Sequence, residues 1–177
     1  MIRSGSVKLL GIDPGSRYTG YGVIEGIGKT PAYLASGCIK VTGDTLAEKL
    51  QCIFLGITQI VSMYQPDEVA IEQIFLARNA DSALKLGQAR GVAILAVAQA
   101  ELPLAEYSAK RVKQSVVGRG NASKDQVQHM VASLLKLSGK PQADAADALA
   151  IALCHFHTRQ SLININGATR VRDGRLY

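Results

Sequence analysis

The chain has 177 residues, the length of one ordinary domain, with 47% hydrophobic and 19% charged residues. These proportions supply a full hydrophobic core and exclude disorder for the body of the chain. The 20 lysines and arginines outnumber the 14 acidic residues, and the resulting net charge of +6 is typical of proteins that meet a polyanion. On charge alone, a merely soluble basic protein is an equally good interpretation.

The cysteine content and the apolar runs indicate the compartment. Three cysteines, an odd number without a CxxC pair, cannot form a disulfide framework, so we expect a reducing compartment such as the cytoplasm. The apolar run Val7–Ile12 meets Asp13 and Pro14 too early for a signal peptide. The longest apolar stretch, Gly91–Ala98, is far shorter than the roughly 20 residues of a membrane helix.

The first part of the chain predicts a three-stranded antiparallel meander. Its first strand ends in the turn-forming residues Pro14-Gly15-Ser16, and the next two strands follow at short spacing. The predicted strands are Val7–Asp13, Gly20–Glu25 and Ala32–Val41.

Strands and helices alternate after the meander. A helix begins after the start signal of Thr45 and Glu48 and ends before Pro66. The later predicted elements are the strand Glu68–Glu72, the helix Asn79–Ala100, the strand Leu104–Tyr107, a helix near Ser108–Val117, a helix from the capping residue Ser123 to about Leu137, and a last helix, Ala143–His157. This order predicts an α/β fold with a mixed sheet and helices on both faces.

Two predicted strands end in a carboxylate. Asp13 closes the first strand directly before the Pro-Gly turn, and Glu72 closes the fourth strand. Ligands of open α/β sheets gather at the carboxyl ends of strands, so these two residues are candidates for one site. Each also has a plain structural explanation, because aspartate is common before Pro-Gly turns and a strand end can simply be solvated.

Two more carboxylates, Asp144 and Asp147, are spaced i and i+3 near the start of the last predicted helix and share one of its faces. Like charges on one face repel each other. The helix dipole favours an acidic residue in the first turn, which explains Asp144 but explains Asp147 less well. A bound cation explains both residues.

We therefore predict a cluster of four carboxylates: Asp13, Glu72, Asp144 and Asp147. Such a cluster either raises the pKa values of its members or binds hard cations. An all-oxygen site suits Mg²⁺ or Mn²⁺. Two such ions match phosphodiester hydrolysis, in which one activates the attacking water and the other stabilises the leaving oxygen.

At these residues the sequence resembles the RuvC-type Holliday junction resolvases. The similarity runs in order from about Leu9 to His157, which is most of the chain. The segments similar to the family's motifs are Leu10–Ser16 with Thr19–Gly22, Ile71–Gln73 with Phe75, Asn79–Gly91, Val112–Gln114 and Ala143–Ala148.

The resemblance implies a ribonuclease H-like fold with a five-stranded mixed sheet. Residues 1–158 are expected to form a single nuclease domain, and residues 159–177 a basic, flexible tail. By resemblance, Asp13, Glu72, Asp144 and Asp147 are the catalytic, metal-binding carboxylates. Mg²⁺ is the expected cofactor, with Mn²⁺ as a substitute and two ions per site.

The resemblance also implies partners. The family's members are homodimers that nick two opposed strands of a four-way DNA junction symmetrically, and they act with the RuvA–RuvB branch-migration complex in bacterial recombination and repair. We expect the bacterial cytoplasm, at the nucleoid during action, and no membrane partner. The small residues Ala83, Gly87 and Gly91 lie on one helix face, which fits either a dimer contact or packing on the chain's own sheet.

A run of basic residues without an acid among them fits either a DNA-binding surface or a solvated helix-loop face, and the resemblance favours DNA binding. Lys113 and Lys124 match the family's functional lysines best. Phe75 fits either stacking on an exposed base or the core, and the resemblance favours stacking, with Arg78 beside it as a phosphate contact. The predicted DNA-binding residues are Phe75, Arg78, Lys110, Arg111, Lys113, Arg119 and Lys124.

Two other functions remain open. Gly11–Ser16 followed by a hairpin resembles the first phosphate loop of actin-like ATPases, although those proteins need two such domains. A non-catalytic DNA-architectural protein explains the net charge but not the acidic cluster. We expect His155 and His157 on the C-terminal turn of the last helix, where a surface position explains them better than metal binding.

Overall fold

Five strands pair into one mixed sheet in the computed structural model, which describes residues 6–74, 80–166, 171–172 and 175–176. The strands are β1 (Val7–Asp13), β2 (Tyr18–Ile27), β3 (Thr30–Lys40), β4 (Glu68–Glu72) and β5 (Leu104–Tyr107). Their order is β3-β2-β1-β4-β5. The first three pair antiparallel, whereas β1–β4 and β4–β5 are parallel. The predicted five-stranded mixed sheet is confirmed.

Helices cover both faces of this sheet, as predicted. The helices are α1 (Leu46–Tyr64), α2 (Ala80–Gln99), α3 (Ala109–Val117), α4 (Lys124–Leu134) and α5 (Ala143–Asn166). Alternation along β1 divides the core, because Leu10 and Ile12 pack with α1 and α2 while Leu9 packs with α3, α4 and α5. A separate pair of short strands, β6 (Val171–Arg172) and β7 (Arg175–Leu176), was not predicted.

Two helices begin at the capping boxes that the sequence predicts. Thr45 accepts a hydrogen bond from the backbone of Glu48, whose carboxylate accepts from the Thr45 backbone in return. Ser123 and Gln126 make the same reciprocal pair at α4. Caps of this kind contribute about 0.5–2 kcal/mol each. They also determine the residue at which α4 begins, which is Lys124.

The last helix is longer than predicted, and its predicted end at His157 is wrong. α5 continues to Asn166 and so crosses residue 158, the predicted boundary between domain and tail. Arg159 is only 8% exposed and its guanidinium pairs with Glu68. This ion pair joins residues 91 positions apart in the chain, so no local sequence pattern predicts it. Beyond Asn166, only β6 and β7 of the predicted tail lie within the described residues.

Among the described residues, α1 is the one helix long and apolar enough to cross a membrane, with a mean hydropathy of 1.2 over its best window. The sequence analysis considered only the longest uninterrupted apolar run, Gly91–Ala98. It overlooked α1 because polar residues interrupt the apolar stripe of that helix. In the structure Ile53, Ile57 and Ile60 are buried against the sheet and α2. Packing within the domain accounts for these three residues, although only 17% of the apolar window is buried, and length and composition alone are weak evidence for a membrane segment.

α5 lies directly against the β1–β2 hairpin because glycines occupy the contact positions. A Cβ atom on Gly11 would lie 2.1 Å from the carbonyl oxygen of Ala148, and one on Gly20 would lie 2.1 Å from that of Asp144. On the helix side, the buried residues of this part are mostly alanines. The contact therefore sets how closely the first turns of α5 approach the end of β1.

The substitution Gly11→Ala is expected to destabilise the fold. The added methyl group would meet backbone atoms of α5, which cannot rotate away, so the free energy of unfolding should fall by at least the ~1–3 kcal/mol typical of overpacking. Urea unfolding measures the change. Gly139→Ala is the control, because a Cβ there meets nothing within 4 Å and should change stability by less than about 0.5 kcal/mol. Equal stability of the two variants would show that α5 can move away without cost.

Candidate active site

Two carboxylates are brought together by the parallel pairing of β1 and β4. Asp13 is the last residue of β1 and Glu72 the last residue of β4, and the two strands run side by side in the same direction. Asp144 and Asp147 lie in the first turns of α5. Asp13, Glu72 and Asp147 line one cavity of about 220 Å³, and the charge of Asp144 acts on Asp13 from close by.

Negative charge is in excess at this cavity. Burial, followed by the charges of Asp147, Glu72 and Asp144, raises the pKa of Asp13 to about 8. Burial and the charge of Asp147 also raise the pKa of Glu72. Shifts in this direction mean that the fold disfavours further negative charge here, so the site favours a proton or a cation.

Two lysines offset part of this charge. The Lys124 Nζ lies 3.2 Å from Asp147 Oδ2, and Asp147 in turn raises the pKa of Lys124. Lys124 lowers the pKa of Asp13, and both Lys124 and Lys113 lower that of Glu72. The Lys124 side chain is 74% exposed, so its ion pair adds little to stability, at most ~1 kcal/mol. Its effect is on the charge of the cavity.

The donor set fits a hard divalent cation. Carboxylate oxygens are the ligands that Mg²⁺ and Mn²⁺ prefer, and a cation in the cavity would relieve the repulsion that raises the pKa of Asp13. Within the described ranges, no three His, Cys, Asp or Glu side chains already stand in a metal-binding arrangement.

Five of the seven predicted DNA-binding residues lie on α3, on α4 and in the turn between them. Lys113 is half-buried and lines the cavity. The other four are exposed, namely Lys110, Arg111, Arg119 and Lys124, and Lys124 also lines the cavity. The other two, Phe75 and Arg78, lie outside the described residues, so their stacking and phosphate roles stay predictions.

The sequence analysis missed Arg90. Its Nε donates a hydrogen bond of 2.9 Å to the backbone oxygen of Glu72, and its guanidinium also pairs with Glu106. Arg90 thus connects α2 with the ends of β4 and β5, next to a predicted catalytic carboxylate. Its signal in the sequence is an arginine between small residues in the middle of a helix.

Comparison with known proteins identifies the family. The family model described as "Crossover junction endodeoxyribonuclease RuvC" matches residues 9–155. The chain belongs to the RuvC family. A RuvC crossover junction endodeoxyribonuclease from Hahella chejuensis is 70% identical over 170 residues, which cover 96% of this chain and 99% of that protein. One from Shewanella loihica is 62% identical over 164 residues, covering 93% and 95%.

Solved structures agree with this assignment. The RuvC of Thermus thermophilus in complex with Holliday junction substrate superposes with a TM-score of 0.81 at 33% identity, covering 88% of this chain and 96% of that one. The yeast mitochondrial Holliday junction resolvase has a TM-score of 0.65 at 11% identity, covering 90% and 83%, and supports the fold alone.

The assignment decides between the functions that the sequence left open. As a member of the RuvC family, the chain is a metal-dependent nuclease that hydrolyses phosphodiester bonds of DNA and resolves four-way junctions. Its ribonuclease H-like fold is confirmed by the same structures. The actin-like ATPase and the non-catalytic DNA-architectural protein have no comparable support.

The variant Asp13→Asn is expected to gain stability at alkaline pH in metal-free buffer. An unfolded aspartate has a pKa of about 4, whereas that of Asp13 in the fold is about 8. The folded state therefore holds this proton more tightly, and wild-type stability falls as pH rises between these two values. Wild type and variant should melt alike near pH 4. Above pH 8 the variant should melt at least about 2–4 °C higher, which corresponds to ~1 kcal/mol.

The matched control for this experiment is Asp125→Asn, because the Asp125 side chain is 88% exposed. It should show no gain in melting temperature with rising pH. If the difference between wild type and Asp13→Asn stays constant from about pH 4 to about pH 9, the raised pKa of Asp13 is wrong.

Proposed function

We propose that Asp13, Glu72, Asp144 and Asp147 form the catalytic centre at which this endonuclease cleaves a strand of a four-way DNA junction. The observation that carries the proposal is the convergence of three of these carboxylates on one cavity that two lysines also line. The raised pKa of Asp13 supports it, because strongly perturbed carboxylates in a cavity are typical of active sites.

The four carboxylates are proposed to hold two divalent cations, Mg²⁺ or Mn²⁺, which would supply an activated water and charge stabilisation of the leaving oxygen. The chain's own contribution is to position the ligands. Asp13 and Glu72 are fixed by neighbouring parallel strands, and Asp147 is fixed by α5. Lys113 and Lys124 would bind the oxygens of phosphates beside the bond to be cleaved.

The basic surface of Lys110, Arg111, Lys113, Arg119 and Lys124 is proposed to bind phosphates of the junction arms. Lys113 and Lys124 belong both to this surface and to the lining of the cavity, so a strand bound there would lie close to the carboxylates. For Phe75 we propose stacking on an opened base and for Arg78 a phosphate contact. These two proposals rest on the family resemblance and on their sequence positions just after β4.

A homodimer that meets through α2 is the proposed assembly. Gly87 and Gly91 are exposed, and a Cβ on either would meet nothing within 4 Å, so neither serves to pack α2 on its own sheet. Leu84 and Leu95 lie along the same helix face and are 62% and 58% exposed. Ala83, the third small residue that the sequence places on this helix face, is half-buried. A two-fold dimer would present one catalytic centre to each of two opposed strands, as paired symmetric nicks require.

Two further proposals rest on family membership. The enzyme would act with the RuvA–RuvB branch-migration complex, which moves the junction that it cuts. It would act in the bacterial cytoplasm at the nucleoid, in recombination and repair, because its relatives are bacterial proteins named for junction cleavage. The three cysteines, all free in the structure, fit a reducing compartment.

Neutralising any one of the four carboxylates should abolish cleavage and spare binding. Asp13→Asn, Glu72→Gln, Asp144→Asn and Asp147→Asn each keep the shape of the side chain and remove one charge. The single-turnover cleavage rate of a labelled synthetic junction should fall by orders of magnitude, because a lost ligand disturbs the geometry of the reacting groups. Junction affinity without metal should be unchanged or slightly higher, because repulsion of the phosphate is reduced.

Asp125→Asn is again the matched control, since it removes an exposed carboxylate on α4 that pairs with Lys140 outside the cavity. It should cleave at the wild-type rate. Normal cleavage by both Asp144→Asn and Asp147→Asn would show that these two aspartates serve only the start of α5 and not catalysis.

The contact of Lys113 with phosphate can be tested through salt. Each contact with duplex phosphate contributes about 0.9 to the slope of log affinity against log salt concentration. Lys113→Ala should therefore weaken junction binding and flatten the slope by roughly one unit. Lys29→Ala, in the exposed turn between β2 and β3, is the control and should leave the slope unchanged. An unaltered slope for Lys113→Ala would make Lys113 a solvated residue of α3.

A further inference from the structure

A network of four hydrogen-bonded side chains joins α5 to β4 and β5, and the function described so far does not use it. Glu68, the first residue of β4, accepts a hydrogen bond of 3.0 Å from Arg159 Nε through its Oε1. Its Oε2 lies 2.9 Å from His155 Nε2. The other ring nitrogen, His155 Nδ1, lies 2.8 Å from the Tyr107 hydroxyl. We call these four residues the Glu68 network.

The Glu68 network is partly buried, since the Glu68 side chain is 26% exposed and Tyr107 is half-buried. His155 and Arg159 are each only 8% exposed, so His155 is not the surface residue that its sequence position suggests. With its proton on Nε2, the imidazole donates to Glu68 and accepts from the Tyr107 hydroxyl, so both ring nitrogens have a partner. The hydrogen bond from His155 lowers the pKa of Glu68. An ionised carboxylate with two donors makes short, directional bonds.

The Glu68 network touches both ends of the strand that carries Glu72. Glu68 is at the start of β4, and Tyr107 pairs with Glu72 at its end. The backbone oxygen of Tyr107 also accepts a 2.8 Å hydrogen bond from the N–H of Gln73, the residue after Glu72. The network therefore connects the backbone beside one predicted catalytic carboxylate with the helix that carries two others.

The distances along the two elements match. His155 follows Asp147 by eight residues of helix, which is about 12 Å at 1.5 Å per residue. Glu72 follows Glu68 by four residues of strand, which is about 13 Å at ~3.3 Å per residue. Because His155 is bonded to Glu68, Asp147 on the helix lies at the same position along the strand direction as Glu72. A shift of α5 along its axis would break the hydrogen bonds before it moved the carboxylates far.

The contact of α5 with the β1–β2 hairpin restrains such a shift by packing alone. Alanines lie beside Gly11, whereas Leu149 packs against Gly22 and Phe156 packs against Gly26. Hydrogen bonds weaken steeply when their geometry is lost, so the Glu68 network adds a directional restraint to this packing.

We propose that Glu68, Tyr107, His155 and Arg159 are positioning residues that set the axial position of α5 against β4, and with it the separation of Asp147 from Glu72. This inference rests on the proposed catalytic role of the four carboxylates. Because small displacements of metal ligands weaken the binding of hard cations, loosening the network should raise the metal requirement of cleavage. Junction binding should be spared, because the basic surface lies on α3, α4 and their connecting turn.

Two variants test the proposal at different severity. Glu68→Gln removes the charge at the centre of the network, and Tyr107→Phe removes a single hydroxyl. The Mg²⁺ concentration for half-maximal cleavage should rise about threefold to tenfold, less than the roughly 10–100-fold loss typical of residues bonded directly to a metal ligand. Independently of activity, the rise in melting temperature on adding Mn²⁺ should be smaller than in wild type, since that rise reports metal binding to the folded chain. Junction affinity in metal-free buffer should not change.

The control is Asp125→Asn, which breaks an exposed ion pair of α4 and should keep the wild-type metal dependence. A variant that melts lower but keeps both the Mg²⁺ requirement and the Mn²⁺-induced rise would overturn the proposal and leave the network a purely stabilising one. If Glu68→Gln does not fold, Tyr107→Phe decides. Failure of the catalytic assignment is a different result, because Asp147→Asn would then cleave normally and keep the full Mn²⁺-induced rise.

Discussion

The close contact between α5 and the β1–β2 hairpin is the constraint on which the proposed catalytic centre depends. Gly11 and Gly20 leave no room for a side chain, so the backbone of the helix lies directly on the sheet. This contact brings the carboxylates of one helix to the strand end that carries Asp13. The parallel pairing of β1 with β4 then adds Glu72. The site is thus assembled from three elements far apart in the chain, and the packing of small residues decides how near they come.

The electrostatics of the cavity follow from the same packing. The fold buries Asp13 and places other carboxylates beside it, and burial followed by their repulsion raises the pKa of Asp13 to about 8. Lys113 and Lys124 relieve part of the repulsion without cancelling it. An excess of negative charge beside a basic surface suits an enzyme that must hold cations and a polyanion at once.

Local patterns were sufficient to predict the order of the elements along the chain, because the spacing of apolar residues identifies strands and helices and the capping boxes mark the starts of α1 and α4. The convergence of Asp13 and Glu72 was predictable too, since both close strands that turned out to be parallel neighbours. The pairing of Glu68 with His155 and Arg159 was not, because it joins residues about ninety positions apart. The length of α5 was missed in part for the same reason: the distant residue Glu68 pairs with Arg159, the residue at which the predicted basic tail begins.

Arg90 has a consequence for how variants of this enzyme are to be interpreted. One face of α2 carries the exposed stripe proposed for subunit contact, while Arg90 on the same helix is bonded to the backbone of Glu72. A substitution that displaces α2 therefore also displaces the end of β4, because the Arg90 guanidinium connects the two elements. Loss of cleavage in such a variant does not by itself show that two subunits must cooperate, because a distortion of α2 also displaces Glu72 through its hydrogen bond with Arg90.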